Sequence, residues 1–295
     1  MKLITLFCKV DDFCQRFEAQ FNSKIISHCS QKRKKKSRLC LSEIMTIVVY
    51  FHQSNYRTFK HYYLDKILKY HQQEFPHIVS YNRFVELMSS SLIPLIHYLN
   101  SRKGKNTGLS FIDSTRLPIS HPNRAKRNRV FGNLAAWGKS SMGWFFGFKL
   151  HLIINELGEI LAFQVTPGNV DDRVPVHNLT RNIWGYLFGD KGYIKQQLWS
   201  ELWSKNLKLI TPLKKNMKNK LIESWEKLML RKRSLIETVN DQLKNISQIS
   251  HSRHRSVFNF MVNVISGLIA YTFQAKKPSL KLEKDDLIYS NNLLV

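Results

Sequence analysis

Asp113 is the only acidic residue between positions 101 and 149, a stretch that carries ten lysines and arginines. It follows Phe111-Ile112 in a short apolar run of core-strand type. A carboxylate in such a run is costly unless it is paired or metal-bound, so the alternatives are a salt bridge to a nearby cation or a ligand role. Asp190 ends a second apolar run, in Phe188-Gly189-Asp190-Lys191-Gly192-Tyr193. Glycines on both sides allow close backbone approach there, and a plain turn aspartate is the alternative. Glu237 stands in a helical pattern, with Arg233 four residues before it and Lys244 seven after it on the same face. A surface ion-pair face would look the same. The three acids are 77 and 47 residues apart. If they converge, their chemistry is that of hard divalent cations held by oxygen ligands, which can clamp both oxygens of an in-line phosphoryl transfer.

The composition points to a polyanionic substrate. Lys+Arg number 46 against 21 Asp+Glu, a formal net charge of +25 over 295 residues. That excess repels itself in a compact chain and is tolerated best against nucleic acid or, less well here, an anionic membrane. The most apolar run, Phe258 to Phe273, contains Asn259, Asn263, Ser266 and Gly267 and is too short to span a bilayer. With 43% hydrophobic and 12% aromatic residues, a packed core is expected. Cys8, Cys14, Cys29 and Cys40 form no C-x-x-C pair, which argues against a zinc ribbon or a disulfide framework and for small buried thiols in a reducing cytoplasm.

The elements that must position the acids follow from periodicity. Residues 1–98 lack glycine and read as helical, with Leu41 to His52 amphipathic and Ser80 a helix cap. This predicts an all-helical N-terminal DNA-binding domain, either of helix-turn-helix type or a generic bundle. The run Lys32 to Arg38 is a solvated loop or a phosphate contact. Residues 99–108 read as a linker. Beyond it come a first strand ending near Asp113, a hairpin over Gly147–Ile154 and Ile160–Val165, and a helix through Val176 and Ile183 capped by Asp171 or Asp172. A short strand then leads to Asp190, a helix spans Lys195–Lys205, a strand spans Leu207–Ile210, and one long helix spans Ile222–Ile246. This order is that of an α/β ribonuclease H-like core, a mixed five-stranded sheet with flanking helices. The expected division is 1–98, the linker, a catalytic domain over 109–275 and a flexible tail over 276–295.

Acids on the first strand, the fourth strand and the last helix resemble the DDE transposases of bacterial insertion sequences, relatives of retroviral integrases. Gly189-Asp190-Lys191-Gly192-Tyr193 resembles the family's second-acid motif, and Thr166-Pro167-Gly168-Asn169-Val170-Asp171-Asp172 its post-hairpin segment. Arg233, Glu237 and Lys244 reproduce the Arg-x3-Glu-x6-Lys signature, although the signature's tyrosine position is Leu230 here. The resemblance implies that Asp113, Asp190 and Glu237 are catalytic and hold two Mg²⁺ ions, with Mn²⁺ able to substitute. It implies cleavage at transposon ends and strand transfer by a freed 3′-OH, and DNA as the partner for both ends and target. It also implies a homodimer or larger assembly on paired ends, no membrane, and a bacterial cytoplasmic location at the nucleoid. Arg233, Lys244 and Lys191 would contact phosphate.

Two further basic segments are candidate DNA contacts. The first is Arg116 to Phe146, with Arg124, Lys126, Arg127, Arg129 and Lys139 among Phe131, Trp137, Trp144 and Phe145. Cations bind backbone and aromatics stack on unpaired bases; a solvated basic loop with its aromatics folded into the core is the alternative. The second is Arg253 and Arg255, just before a final apolar helix that would be core or dimer interface. A ribonuclease H-like nuclease without strand transfer, a non-catalytic DNA-binding regulator and a tyrosine recombinase are the competing readings.

Overall fold

A computed structural model of the chain describes residues 1–25, 37–140, 143–213, 223–250 and 255–280. Lys32 to Lys36, Cys29, Arg253 and the tail after 280 lie outside the described residues. The chain forms two compact units, Met1–Arg102 with Leu243–Gln274, and Lys103–Gln242 with the terminal segment from Ala275.

The first unit is helical. Its elements are α1 (Leu3–Ile25), α2 (Leu41–Phe51), α3 (Phe59–His61), a π-helical turn at Tyr62–Ile67, α4 (Leu68–Tyr70), α5 (Tyr81–Met88) and α6 (Leu92–Ser101). The helix expected at α2 forms, but it is buried on all sides rather than amphipathic: Ile44, Met45, Thr46, Ile47, Val48 and Val49 are buried without a break. Cys40 is its N-cap, and Glu43 reaches back to the Cys40 amide at 2.7 Å. Ser80 caps α5 as expected, accepting from the Arg83 amide. The π-helical turn buries Tyr62 and Tyr63, whose hydroxyls donate to the carbonyls of Ile47 and Val79 at 2.9 and 2.6 Å.

The thiols are only partly as expected. Cys14 is buried, and burial pushes its thiol up to about 12. Cys8 and Cys40 are exposed. The predicted linker also needs correction at its start, because α6 runs on to Ser101.

The final apolar helix (Val257–Thr272) belongs to this first unit, with the residues from Leu243 that precede it, and not to the catalytic domain in which the sequence order places it. Phe260, Val262, Val264, Leu268, Ile269 and Tyr271 are buried, and the helix packs on α2 and α6. Of the two roles the sequence allows it, this packing is a core role. No helix among the described residues is long and apolar enough to cross a membrane.

The second unit is a mixed sheet with flanking helices. Its strands are β1 (Leu109–Ser120), β2 (Ala136–Ser140), β3 (Gly143–Asn155), β4 (Ile160–Pro167), β5 (Gly185–Phe188) and β6 (Leu207–Ile210). Six strands replace the five expected, because the basic stretch after β1 contributes β2. The path runs β2-β3-β1-β5-β6, with β4 also on β3. β3 pairs antiparallel with β1, β2 and β4, while β5 pairs parallel with β1 and β6. The β3–β4 turn forms as the sequence suggests. Asn155 Oδ1 accepts from the amides of Leu157 and Glu159, and Gly158 takes φ +69°.

One sheet face buries Ile112, Ile153, Leu187, Leu207 and Leu209 beneath α7 (Val176–Leu179) and α8 (Gln196–Trp203). The predicted cap for α7 is displaced: Pro175 is its N-cap, and the helix is a single turn. Elsewhere in the sheet, Phe111, Tyr186 and Phe188 form a ring cluster with Trp225. Trp225 lies on α9 (Ser224–Lys232), which is followed by α10 (Ser234–Asn245). The single long helix predicted here is therefore two helices, broken at Arg233.

Candidate active site

β1 and β5 bring the first two acids together. The parallel ladder pairs Leu109 with Tyr186, Ser110 with Leu187 and Phe111 with Phe188. Asp113 lies two residues beyond the last pair on one strand, and Asp190 two beyond it on the other. Adjacent strands run about 4.8 Å apart, so the register sets the two acids side by side. Asp190 sits just past the carboxyl end of β5, where open α/β sheets gather ligands. Its carboxylate accepts from the Gly192 amide at 2.8 Å, closing a short 3₁₀ turn over Lys191–Tyr193. Packing is tight at Gly189: a Cβ there would stand 3.0 Å from the Tyr193 ring and 3.1 Å from Ile112, so those side chains would have to give by a few tenths of an ångström.

α10 brings the third acid. Asn240 is 5% exposed and donates from Nδ2 to Asp113 Oδ2 at 3.0 Å. Glu237 lies three residues earlier, about 4.5 Å along the helix axis. Its side chain is 54% exposed and pairs with Arg233. Arg233, at the break before α10, also acts electrostatically on Asp113. Burial raises the Asp113 carboxyl to about 6, and the Arg233 charge pulls against that rise. The Ser114 amide and Asn240 favour the charged form as well, while Asp190 opposes it. One guanidinium thus serves two of the three acids.

The three carboxylates do not form a closed ligand cage. Among the described residues, no group of three or more His, Cys, Asp or Glu side chains is arranged to hold a metal ion. Each acid is turned to a protein partner instead: Asp113 to Asn240, Asp190 to Gly192 and Glu237 to Arg233. The donor chemistry nevertheless fits a hard divalent cation. All three offer carboxylate oxygen, and the raised Asp113 carboxyl shows negative charge that the protein leaves under-compensated.

A second polar cluster supports the segment after β4. Lys149 Nζ donates to Asp172 Oδ1 and to the Val170 carbonyl, each at 2.9 Å. His151 is fully buried and bonds Thr166 Oγ1 through Nε2 at 2.8 Å. Its Nδ1 lies 4.0 Å from Asp172, but burial takes the imidazole down to about 4. His151 is therefore neutral, and Lys149 is the counter-charge of Asp172. Asp171 pairs with Arg173, whose hydrogen bonds hold its carboxyl at about 2.

The predicted cations are placed as follows. Lys191 is exposed on the turn after Asp190. Lys244 is half-buried, two turns past Glu237 on α10. Arg124, Lys126, Arg127 and Arg129 are exposed on or just after a 3₁₀ segment, Pro122–Arg127. The aromatics of that stretch divide. Phe131 packs on Phe148, and Phe145 is buried, whereas Trp137 and Trp144 stand out on the β2–β3 hairpin. Arg255 is exposed and Arg253 lies outside the described residues. The sequence reading missed Asn240 and gave Tyr193 no role. Neither ionises usefully, and only the approach of α10 to β1 and of the 3₁₀ turn to β5 marks them.

A family model described as Transposase DDE domain matches residues 103–257, just over half of the chain. The chain belongs to the DDE transposase family. No curated protein and no solved structure matches it. The transposase match spans every strand of the sheet together with α7 to α10, so all three acids and Arg233 fall inside it. The Leu230 departure also falls inside it, half-buried on α9.

Proposed function

We propose that this DDE transposase binds the ends of an insertion sequence, cleaves there and joins the freed end to target DNA, on a ribonuclease H-like core. The observation that carries this reading is the β1–β5 register with Asn240 on Asp113, which gathers Asp113, Asp190 and the helix of Glu237 into one locality. Asp113, Asp190 and Glu237 would hold two Mg²⁺ ions, or Mn²⁺ in their place. When bound, these ions would supply charge neutralisation at the phosphate and activation of the attacking oxygen.

The protein's own residues perform the rest. Asp113 is central, flanked by Asp190 across the ladder and by α10. Arg233 releases Glu237 from its ion pair and keeps Asp113 ionised near neutral pH. Water attacks the phosphodiester at the element end, one P–O bond forms, the bond to the 3′ oxygen breaks, and that oxygen leaves as a 3′-OH. The 3′-OH then attacks a target phosphodiester in the same in-line manner. No covalent protein–DNA bond is needed, so no serine or tyrosine nucleophile is required. Lys191, Lys244 and Arg255 meet DNA backbone, and paired ends recruit two or more copies of the chain. A strand-transfer assay with a pre-cleaved end and Mg²⁺ tests the reading. Joined product is expected from the wild type and not from Asp113→Asn; cleavage without joining would indicate a plain nuclease.

Two contacts have their own expected results. Lys244→Ala is expected to lower end cleavage about tenfold through loss of one phosphate contact, with Mn²⁺ binding unchanged. Turnover at the wild-type rate would remove Lys244 from the interface. The β2–β3 hairpin carries Trp137 and Trp144, with Lys139 Nζ 5.8 Å from the Trp144 ring centre. Cross-strand pairing sets Trp137, Lys139, Trp144 and Phe146 on one face of the ribbon. That face, beside Arg124 to Arg129 in sequence, suits unpaired bases and their phosphates. Adding end DNA is expected to slow amide exchange across residues 122–147, and unchanged exchange there would exclude the hairpin from binding.

A further inference from the structure

Tyr193 carries a hydroxyl that packing alone does not explain. Its ring fills space beside Gly189, in the same buried cluster as Ile112, and the residue is 1% exposed. Phenylalanine would fill that space equally well, yet the Tyr193 oxygen is buried with no hydrogen-bond partner. An unpaired buried hydroxyl is a net cost to the fold. The charges that act on it electrostatically are those of Asp113, Asp172 and Asp190, opposed by Arg233, and the residue packs in one buried cluster with Ile112, the neighbour of Asp113.

Asp172 is already held by Lys149. The other two carboxylates are candidates to move, since each is turned to a protein group rather than to the other. We propose that Tyr193 is a positioning residue, whose hydroxyl donates to Asp113 when a divalent cation draws the Asp113 and Asp190 carboxylates together. Ligand carboxylates depend on such supporting hydrogen bonds for their orientation, and loss of one weakens metal affinity about 10- to 100-fold. The inference rests on reading these acids as the cation site.

The test is a thermal-shift titration with MnCl₂ alone, without DNA, on wild type, Tyr193→Phe and Asp113→Asn. Tyr193→Phe is expected to melt at or above the wild-type temperature without Mn²⁺. Its half-saturating Mn²⁺ concentration is expected to rise at least about tenfold, and saturating Mn²⁺ should restore end cleavage. A wild-type half-saturation point in Tyr193→Phe would overturn the proposal. So would a lower metal-free melting temperature with the Mn²⁺ response unchanged, which is the pattern of a purely structural residue. If Mn²⁺ fails to shift the wild type, or shifts Asp113→Asn equally, the cation site itself is wrong and the role of Tyr193 falls with it.

Discussion

Asp113→Asn is expected to abolish cleavage and strand transfer while making the metal-free protein more stable. The loss should be at least about a thousandfold, since the centre of the cation site is removed. The gain follows from linkage. In the unfolded chain this carboxyl loses its proton near the ordinary aspartate value, whereas burial holds it protonated to about 6 in the fold. The folded state therefore binds the extra proton between about pH 4 and pH 6, and metal-free stability falls as pH rises through that window. Asparagine has no charge to bury and still offers an oxygen to Asn240. The stability difference should be negligible below about pH 4, grow towards pH 6 and stay level above it, at up to about 3 kcal/mol. Melting curves of both proteins in EDTA across this range check it. A less stable variant at pH 7.5 would mean that the charge is already compensated.

Glu237→Gln should be as inactive, with almost no signature in stability. Its side chain is largely exposed, and its only described partner is Arg233 four residues earlier. An exposed pair of this spacing contributes about 0.3–0.5 kcal/mol, so the melting temperature should barely move at any pH. Activity should again fall by at least about a thousandfold, because the third carboxylate of the cation site is lost. A variant retaining a tenth of wild-type activity would leave Glu237 as a surface ion-pair residue. The two variants together separate a dead enzyme from an unfolded one, since neither loses stability.

Much of this site was legible in the sequence because charge is conspicuous where it is scarce. Asp113 stood alone among ten cations, and its strand, Asp190 and the helix of Glu237 all took the order expected. The residues that tie them together carry no such mark. Asn240 and Tyr193 are ordinary in composition, and their importance arises from contacts across 127 residues and across the end of β5. The break at Arg233 had no glycine or proline to announce it. β2 was hidden inside a basic stretch whose strand pattern is short and whose pairing with β3 is tertiary. The final helix looked like a continuation of the catalytic domain because sequence order was the only guide. Its apolar surface instead meets α2 and α6, about 220 and about 170 residues upstream.

The central claim is that Asp113, Asp190 and Glu237 close on divalent cations. A crystal of the protein with end DNA and Mn²⁺, measured at an energy where manganese scatters anomalously, tests it most directly. Two anomalous peaks about 3.5–4 Å apart are expected, with Asp113 touching both and Asp190 and Glu237 one each. Peaks elsewhere, or a single peak with Glu237 still paired to Arg233, would contradict it.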